Sequence, residues 1–321
     1  MNNVVKEKPF LIVIVGPTAS GKTELSIELA KQIDGEIISG DSMQVYKGMD
    51  IGTAKITPKE MQGIPHHLID ILSPDEQFTA FDFQQRVKPL IHHITQKGKV
   101  PIIVGGTGLY IQSVIYNYEF EQEEVSPEKE REVADQMEIL KNYSNEDLHD
   151  YLGTFDPESQ ANIHPNNRQR VERAIAYYLK TKKILSNRKK SHQLTENYDT
   201  LLLGIEMSRD TLYRRINKRV DIMLSLGLLA EVERLIELGY ESCQSMQAIG
   251  YKELIPVVHD EMEIEQATDL LKQHSRNYAK RQLTWFKNKL NVHWLDRERM
   301  SLPEMLDDIL TQINKRRNEH V

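Results

Sequence analysis

Short apolar runs alternate along the chain with segments in which apolar residues recur every three or four positions. The first run, Phe10–Val15, is followed by a glycine-rich stretch and then by an apolar stripe of helical spacing at 25–33. Similar runs at 36–38, 100–104 and 201–205 predict three further buried strands. Because strands and helices alternate, we predict an α/β fold with a parallel sheet, whose ligands bind at the carboxyl ends of the strands.

The middle of the chain has a different charge pattern, which indicates an inserted domain. Residues 119–150 hold 12 acidic and three basic side chains, whereas residues 164–192 hold nine basic side chains and one acidic one. An apolar stripe of helical spacing accompanies the basic side chains, and neither segment contains a strand-like run. We therefore predict a helical insertion over 118–199, within a catalytic core formed by 1–117 and 200–321.

Composition limits the classes of protein to consider. The 321 residues carry a formal net charge of −7 and include 39% hydrophobic residues, which is ordinary for a globular protein. Cys243 is the single cysteine, so an internal disulfide and a multi-cysteine zinc site are excluded. The chain has no apolar run long enough to span a bilayer, and we expect a cytoplasmic protein with no membrane partner. Lysine and arginine cluster at 209–219 and 272–289, so the negative total charge hides local basic surfaces.

Residues 16–23, the phosphate loop, have the sequence GPTASGKT, which matches the phosphate-binding pattern G-x-x-x-x-G-K-[ST] in full. The match stands between a predicted strand and a predicted helix, as this motif requires. Glycines let backbone N–H groups converge on phosphate oxygens, a lysine neutralises charge, and a threonine hydroxyl can bind Mg²⁺. The residues predicted to bind a di- or triphosphate, with Thr23 as the metal ligand, are Gly16, Thr18, Ala19, Ser20, Gly21, Lys22 and Thr23.

Two further strand ends carry candidate residues. A nucleotide hydrolase would have a carboxylate at the end of a long apolar strand, but the run at 100–104 continues into GGTG at 105–108, the second glycine loop. The nearest carboxylate, Asp41, follows the strand at 36–38, where it can hold a metal, accept a proton or merely cap the following segment. The second glycine loop suits backbone contact with an anion, and Thr107 adds a hydroxyl, although a plain turn has the same pattern.

Six longer strings carry more information than these short motifs. They are GPTASGKT at 16–23, DSMQVYKGMDIGTAK at 41–55, PHHLIDI at 65–71, GGTGLY at 105–110, HPNNRQRVERA at 164–174 and YAKRQLTWF at 278–286. In this order and spacing, the chain resembles the bacterial members of the tRNA isopentenyltransferase family, also called tRNA dimethylallyltransferases. The eukaryotic relatives carry a C-terminal zinc finger, which a chain with one cysteine cannot build.

The resemblance implies both a fold and an activity. Members of the family resemble P-loop kinases in fold, with a helical insertion that grips the anticodon stem-loop of tRNA. They transfer a dimethylallyl group from dimethylallyl diphosphate, with Mg²⁺, to the exocyclic amine of the adenosine 3′ to the anticodon. The phosphate loop would then hold the departing diphosphate, which explains the incomplete NTPase signature. We expect the protein to be a monomer.

The resemblance also implies roles for individual residues. Asp41 is the candidate base for the proton of the amine, and Lys22 and Thr107 are candidates to stabilise the leaving diphosphate. The amide of Gln44 is placed to read an adenine edge. The residues expected to contact tRNA are Asp41, Ser42, Met43, Gln44, Thr107, Gln169, Arg170, Val171, Glu172, Arg173 and Arg281.

Three other functions remain as alternatives. An adenylate isopentenyltransferase would use free AMP as acceptor, an ATP-dependent P-loop kinase would transfer phosphate, and an RNA-binding module would use the phosphate loop only as a switch. The helical insertion and the separate basic clusters disfavour the AMP enzyme. Arg215 and Arg219 lie one helical turn apart and fit contacts to the diphosphate and to the tRNA backbone equally well.

Overall fold

The computed structural model describes residues 8–116, 118, 126–190 and 196–319. The chain forms two compact units. The core unit comprises Met1–Asn117 and Glu196–Val321, and the helical unit comprises Tyr118–Thr195. Among the helices of the described ranges, none combines the length and the apolar surface that crossing a bilayer would require.

The core unit is built on a sheet in which six strands pair in parallel. The strands are β1 (Phe10–Val15), β2 (Gly35–Ser39), β3 (His66–His67), β4 (Val100–Gly105), β5 (Asp199–Glu206) and β6 (His293–Asp296), in the spatial order β3-β2-β4-β1-β5-β6. The predicted α/β fold with a parallel sheet is confirmed, and β1, β2, β4 and β5 are the four predicted strands. The apolar pattern does not reveal the two edge strands, because β3 has only two residues and β6 begins and ends on polar side chains.

Helices cover the sheet and build the helical unit. In chain order, the described ranges contain α1 (Lys22–Ile33), α2 (Pro58–Met61), α3 (Ala80–Gln96), α4 (Gly108–Ile115), α5 (Pro127–Leu140), α6 (Asn145–Gly153), α7 (Pro157–Asn162), α8 (Arg168–Thr181), α9 (Leu185–Lys190), α10 (Arg209–Ser225), α11 (Leu228–Glu237), α12 (Ile255–Val258), α13 (Ile264–Lys289) and α14 (Leu302–Glu319). The helical unit consists of α5 to α9, and the other helices belong to the core unit.

The chain leaves the core unit and returns to it at neighbouring points. Tyr116 and Glu196 form an isolated antiparallel bridge, and the Asn197 N–H donates to Ile115 O at 3.1 Å. The core therefore resumes at Glu196, a few residues before β5 begins.

Strand register brings the candidate loops to one edge of the sheet. The central strand β1 is fully buried from 11 to 15, and its side chains Ile12 and Ile14 pack against α1 and α14. Val15 pairs with Gly105, and Ser39 pairs with Val104, so β1, β2 and β4 end at the same level. The loops that follow these strands must therefore emerge side by side.

A close glycine contact fixes two of these loops against each other. A Cβ atom on Gly105 would lie 2.3 Å from Gly40 O, a distance that only glycine permits. The Gly40 N–H donates to Val104 O at 2.8 Å. The segment that carries Asp41 and the second glycine loop are thus in direct contact.

The helical unit has an apolar core of its own, formed mainly by α5, α6 and α8. Its α8 begins at Arg168. Arg168 Nη2 donates to Leu140 O at 3.2 Å and Lys141 O at 3.0 Å, and its Nε pairs with Glu172 at 2.7 Å. Because a cation satisfies the last carbonyls of a helix, Arg168 joins the end of α5 to the start of α8.

Candidate active site

The phosphate loop joins β1 to α1 in a conformation suited to an anion. Ala19 and Gly21 have φ angles of 63° and 101°, and α1 begins at Lys22 with no side-chain cap on its first N–H groups. The Ser20 hydroxyl is fully buried and has no partner among the described residues. Free N–H groups, a helix N-terminus and an unpaired hydroxyl together fit a phosphate group.

Lys22 lies inside this loop. Its Nζ donates to Gly16 O at 3.0 Å and to Pro17 O at 2.7 Å. Burial, assisted by the positive charge of Arg219, lowers the pKa of Lys22 to about 7, and the carboxylate of Asp41 opposes that shift. A bound diphosphate would restore the full charge of Lys22, because an adjacent anion favours the protonated amine.

Three basic side chains of α10 adjoin the phosphate loop. Arg215, Lys218 and Arg219 line a cavity of about 470 Å³ together with residues 19–23; we call it the phosphate cavity. Burial lowers the pKa of Arg219, and the carboxylate of Asp41 opposes this effect. From the sequence alone, Arg215 and Arg219 fit contacts to the diphosphate and to the tRNA backbone equally well. The structure places both side chains beside the phosphate loop.

A second cavity, the Asp41 cavity, has a volume of about 420 Å³ and shares Arg219 with the phosphate cavity. Its polar wall includes Thr18, Asp41, Ser42 and Arg281. Its apolar wall includes Met43 and, from α10 and α13, Ile216, Val220, Met223 and Leu271. Small-molecule sites typically combine apolar surface with a few placed polar groups. This cavity can therefore hold a ligand with an apolar portion close to the phosphate loop.

Asp41 and Thr107 occupy neighbouring strand ends. Asp41 Oδ1 accepts hydrogen bonds from Met43 N at 2.8 Å and from Gln44 N at 3.3 Å, so this carboxylate does cap the following segment. Its Oδ2 has no hydrogen-bond donor within the described ranges, which leaves one oxygen for a proton or a metal. Thr107 Oγ1 donates to Ser42 Oγ at 3.4 Å.

The amide of Gln44 forms hydrogen bonds within the protein. Its Nε2 donates to Thr53 O at 3.3 Å and Ala54 O at 3.4 Å, and its Oε1 accepts from Ser39 Oγ at 3.2 Å. These bonds orient the amide within the protein, and its role in reading an adenine edge stays a prediction. Gln44 instead ties β2 to the segment that follows Gly52.

Arg281 and Tyr278 both line the Asp41 cavity from α13. Arg281 is exposed, and its guanidinium carbon lies 5.6 Å from the centre of the Tyr278 ring. Burial and the charge of Asp41 raise the pKa of Tyr278 to about 12, while a hydrogen bond with Thr107 opposes the rise. Tyr278 thus keeps its proton at neutral pH.

Glu231 on α11 is a buried carboxylate that the sequence pattern does not single out. Its side chain is 6% exposed, and Oε1 and Oε2 accept from the N–H groups of Asp50, Ile51 and Gly52 at 2.8–3.1 Å. The Tyr251 hydroxyl donates to Oε1 at 2.7 Å, and burial followed by the charge of Glu231 raises the pKa of Tyr251. Glu231 thereby fixes the position of residues 50–52, and Gly52 lines the Asp41 cavity.

Gln282 on α13 is a second buried polar residue that the prediction omits. Its amide lies between the phosphate loop and the second glycine loop and bonds to each at 3.0 Å. It belongs to the string YAKRQLTWF, but the string alone does not indicate which side chain faces the loops.

The helical unit places its candidate residues on opposite sides of α8. Gln169, Arg170 and Arg173 are exposed. Val171 is fully buried in the apolar core, so the prediction that it contacts tRNA is corrected to a packing role. Glu172 is half-buried and holds the guanidinium of Arg168, which makes it a partner within the unit.

The site contains oxygen atoms suited to a metal ion whose other ligands are phosphate oxygens and water. Within the described ranges, no three His, Cys, Asp or Glu side chains come together as a metal cluster. Mg²⁺ in phosphate sites usually takes one or two protein oxygens together with substrate phosphates and water. The Thr23 hydroxyl in the phosphate loop and the Asp41 carboxylate beside it are oxygen ligands of this kind, and they fit such an ion.

Comparison with known proteins places this site in a family. The chain matches the family model described as IPP transferase over residues 44–289. It is 70% identical over 308 residues to the tRNA dimethylallyltransferase of Staphylococcus aureus strain JH9, and the match covers 96% of this chain and 99% of that protein.

Solved structures give the same result. The crystal structure of a tRNA isopentenylpyrophosphate transferase from Staphylococcus epidermidis is 67% identical, with a TM-score of 0.72 over 96% of this chain and 100% of that one. The Bacillus halodurans enzyme of the same description is 44% identical, with a TM-score of 0.73 over 98% and 100%. A eukaryotic dimethylallyltransferase solved acting on tRNA is 32% identical, with a TM-score of 0.75 over 90% and 74%. The chain belongs to the tRNA dimethylallyltransferase family, the IPP transferases.

Proposed function

We propose that this protein transfers a dimethylallyl group from dimethylallyl diphosphate to an adenosine of tRNA. The acceptor atom is the exocyclic amine of the adenosine 3′ to the anticodon, and pyrophosphate is released. The observation that carries this proposal is that the phosphate cavity and the Asp41 cavity share Arg219. A positively charged site for an anion therefore lies beside an apolar surface and a free carboxylate oxygen. The names of the relatives, which describe tRNA dimethylallyltransferases, support tRNA as the acceptor.

The phosphate cavity suits the leaving group. Breaking the allylic C–O bond builds negative charge on the diphosphate, and groups fixed in advance around that charge lower the barrier by several kcal/mol. Lys22, Arg219 and the N–H groups of the phosphate loop supply this positive potential. The apolar wall of the Asp41 cavity suits the five-carbon chain.

Asp41 suits the acceptor. The adenine amine is a weak nucleophile, and it becomes acidic only as the new C–N bond forms. Asp41 Oδ2 can then take the proton, a contribution worth about 10² to 10⁴ in rate. A base stacked in an anticodon loop must leave its stack to reach a cavity, so the adenosine binds flipped out.

Mg²⁺ belongs to the proposal as the counter-ion of the diphosphate. The Thr23 hydroxyl would hold it, together with oxygens of the diphosphate and water. When bound, the ion supplies positive charge that stabilises the departing pyrophosphate.

The helical unit is proposed to contact the anticodon stem-loop. Gln169, Arg170 and Arg173 share the exposed side of α8, where arginine can pair with backbone phosphates. The protein would act as a monomer in the cytoplasm, where its RNA substrate is present.

One assay tests the reaction and the alternatives together. Unmodified tRNA is incubated with the protein, Mg²⁺ and labelled dimethylallyl diphosphate, and the anticodon-loop adenosine is examined by mass spectrometry. We expect the mass of one five-carbon prenyl unit to be added to tRNA without any need for ATP. Label in AMP would support the adenylate enzyme, phosphate transfer from ATP would support the kinase, and tRNA binding without any transfer would support the binding module.

Removing positive charge from α8 should weaken tRNA binding and leave the chemical step intact. For the double variant Arg170→Gln with Arg173→Gln, we expect the KM for tRNA to rise about tenfold with kcat nearly unchanged. The dependence of binding on salt should also fall by about one unit of slope per lost phosphate contact. The control is Arg131→Gln, which removes an exposed charge from α5 of the same unit. Equal effects of the two replacements would argue against a specific role for α8.

A further inference from the structure

One face of α13 contacts both anion-binding loops. Tyr278, Gln282 and Trp285 are spaced by four and three positions, so they lie on the same side of the helix. Tyr278 interacts with the Thr107 side chain, and the Trp285 ring covers Gly108, where a Cβ atom would lie 2.3 Å from Cδ1 of the ring. The second glycine loop thus rests on this face of α13.

Gln282 stands at the centre of that face and reaches one loop further. Its Oε1 accepts from Thr18 N at 3.0 Å, and its Nε2 donates to Gly106 O at 3.0 Å. Gln282 is only 6% exposed. A single buried amide therefore connects the phosphate loop with the loop that carries Thr107.

We propose that Gln282 is a positioning residue that holds the phosphate loop and the second glycine loop as one anion-binding unit. The inference rests on the proposed function, because it assigns to that unit the task of fixing the diphosphate and the Thr107 hydroxyl in register. Gln282 itself acts through the two loops and needs no contact with substrate.

The chemistry of the two bonds requires an amide of this length. Thr18 offers a donor and Gly106 offers an acceptor, so only a side chain with one acceptor and one donor satisfies both. A carboxylate would place an oxygen against Gly106 O, and methionine would remove the partner of both backbone groups, of which Gly106 O is buried. Asparagine is one methylene shorter and could not reach both groups.

The main test replaces Gln282 by methionine, which has a similar volume. We expect kcat to fall about thirtyfold, because small displacements of reacting groups reduce rates steeply. The Kd for inorganic pyrophosphate, measured by isothermal titration, should rise about tenfold, whereas the Kd for tRNA should change less than about twofold. The matched control is Gln266→Met, the same change at an exposed position of α13, which should leave all three values unchanged.

Gly106→Ala tests the same contact without changing Gln282. A Cβ atom on Gly106 would lie 2.0 Å from the side-chain atom Gln282 Nε2, whereas the nearest backbone atom, Gly16 O, would be 3.6 Å away. The substitution must therefore displace the amide and should reproduce the loss seen in Gln282→Met. Because both substitutions disrupt the same contact between Gln282 and Gly106, the double variant should lose no more activity than the more impaired single variant.

Hydrogen exchange separates positioning from general stability. In Gln282→Met and Gly106→Ala, amides of residues 16–21 and 106–108 should exchange faster together, while those of β1 and β4 keep their protection. In Gln282→Glu, which keeps the acceptor for Thr18 N, the second glycine loop should loosen more than the phosphate loop.

The outcomes distinguish this inference from the proposed function. If the unmodified protein transfers the prenyl group, but both Gln282→Met and Gly106→Ala keep full kcat and pyrophosphate affinity, Gln282 is not a positioning residue. The inference is also overturned if activity falls only in proportion to the folded fraction, or if tRNA affinity alone is lost. If the unmodified protein transfers nothing, the proposed function itself fails, whereas the pyrophosphate titrations still judge the role of Gln282.

Discussion

Replacing Asp41 by asparagine should lower turnover at least about a hundredfold and leave the affinity for tRNA little changed. Asparagine keeps an oxygen that can accept the hydrogen bonds from Met43 N and Gln44 N, so the local cap survives. It removes the negative charge and the basic oxygen that the adenine amine needs. Single-turnover kinetics with tRNA and dimethylallyl diphosphate measure the effect, and filter binding gives the tRNA affinity.

Asp41→Ala provides the comparison that separates the cap from the base. Alanine removes both functions, so its turnover should match that of asparagine while its stability falls by about 1 kcal/mol more. If asparagine retained nearly full turnover and only alanine lost it, Asp41 would be a cap and the base would have to be sought elsewhere on the cavity wall.

Replacing Glu231 by glutamine should have the largest effect on stability, a loss of about 3 kcal/mol in the free energy of unfolding of the core unit. Both carboxylate oxygens accept backbone N–H groups, from Asp50, Ile51 and Gly52. In either orientation, the amide of glutamine would therefore point an NH₂ group at backbone donors. Urea unfolding followed by circular dichroism measures the change.

Glu233→Gln is the matched control, because Glu233 lies on the same helix and is exposed. Its effect should stay within about 0.5 kcal/mol. Well below the melting temperature, Glu231→Gln should also lose activity, since the segment around Gly52 forms part of the cavity wall. Equal unfolding midpoints for the two variants would show that the Glu231 hydrogen bonds contribute little.

The parts of the fold that sequence predicts are those with local signals. The strand, phosphate loop and helix from 10 to 33 follow one another without interruption, so apolar spacing and a motif are enough to place them. The same spacing predicts β2, β4 and β5 because each is a continuous apolar run. It does not reveal β6, where His293 and Asp296 flank two apolar residues and only pairing with β5 makes a strand.

The candidate site divides in the same way. Residues 16–23 are contiguous, and strand ends place Asp41 and Thr107 beside them. Glu231 and Gln282 act across 180 and 264 positions, and no local pattern encodes such contacts. The contacts of Gln44 with Thr53 and Ala54 are likewise visible only in the folded chain.

The bridge between Tyr116 and Glu196 bears on how this architecture can evolve. The two chain segments that form it are hydrogen-bonded to each other. Any segment inserted between them therefore begins and ends at neighbouring positions. The entropy of closing a loop grows only slowly with its length. A lineage can therefore lengthen, trim or exchange the intervening module while the six-stranded sheet keeps its pairing, and a laboratory graft at this junction has the same freedom.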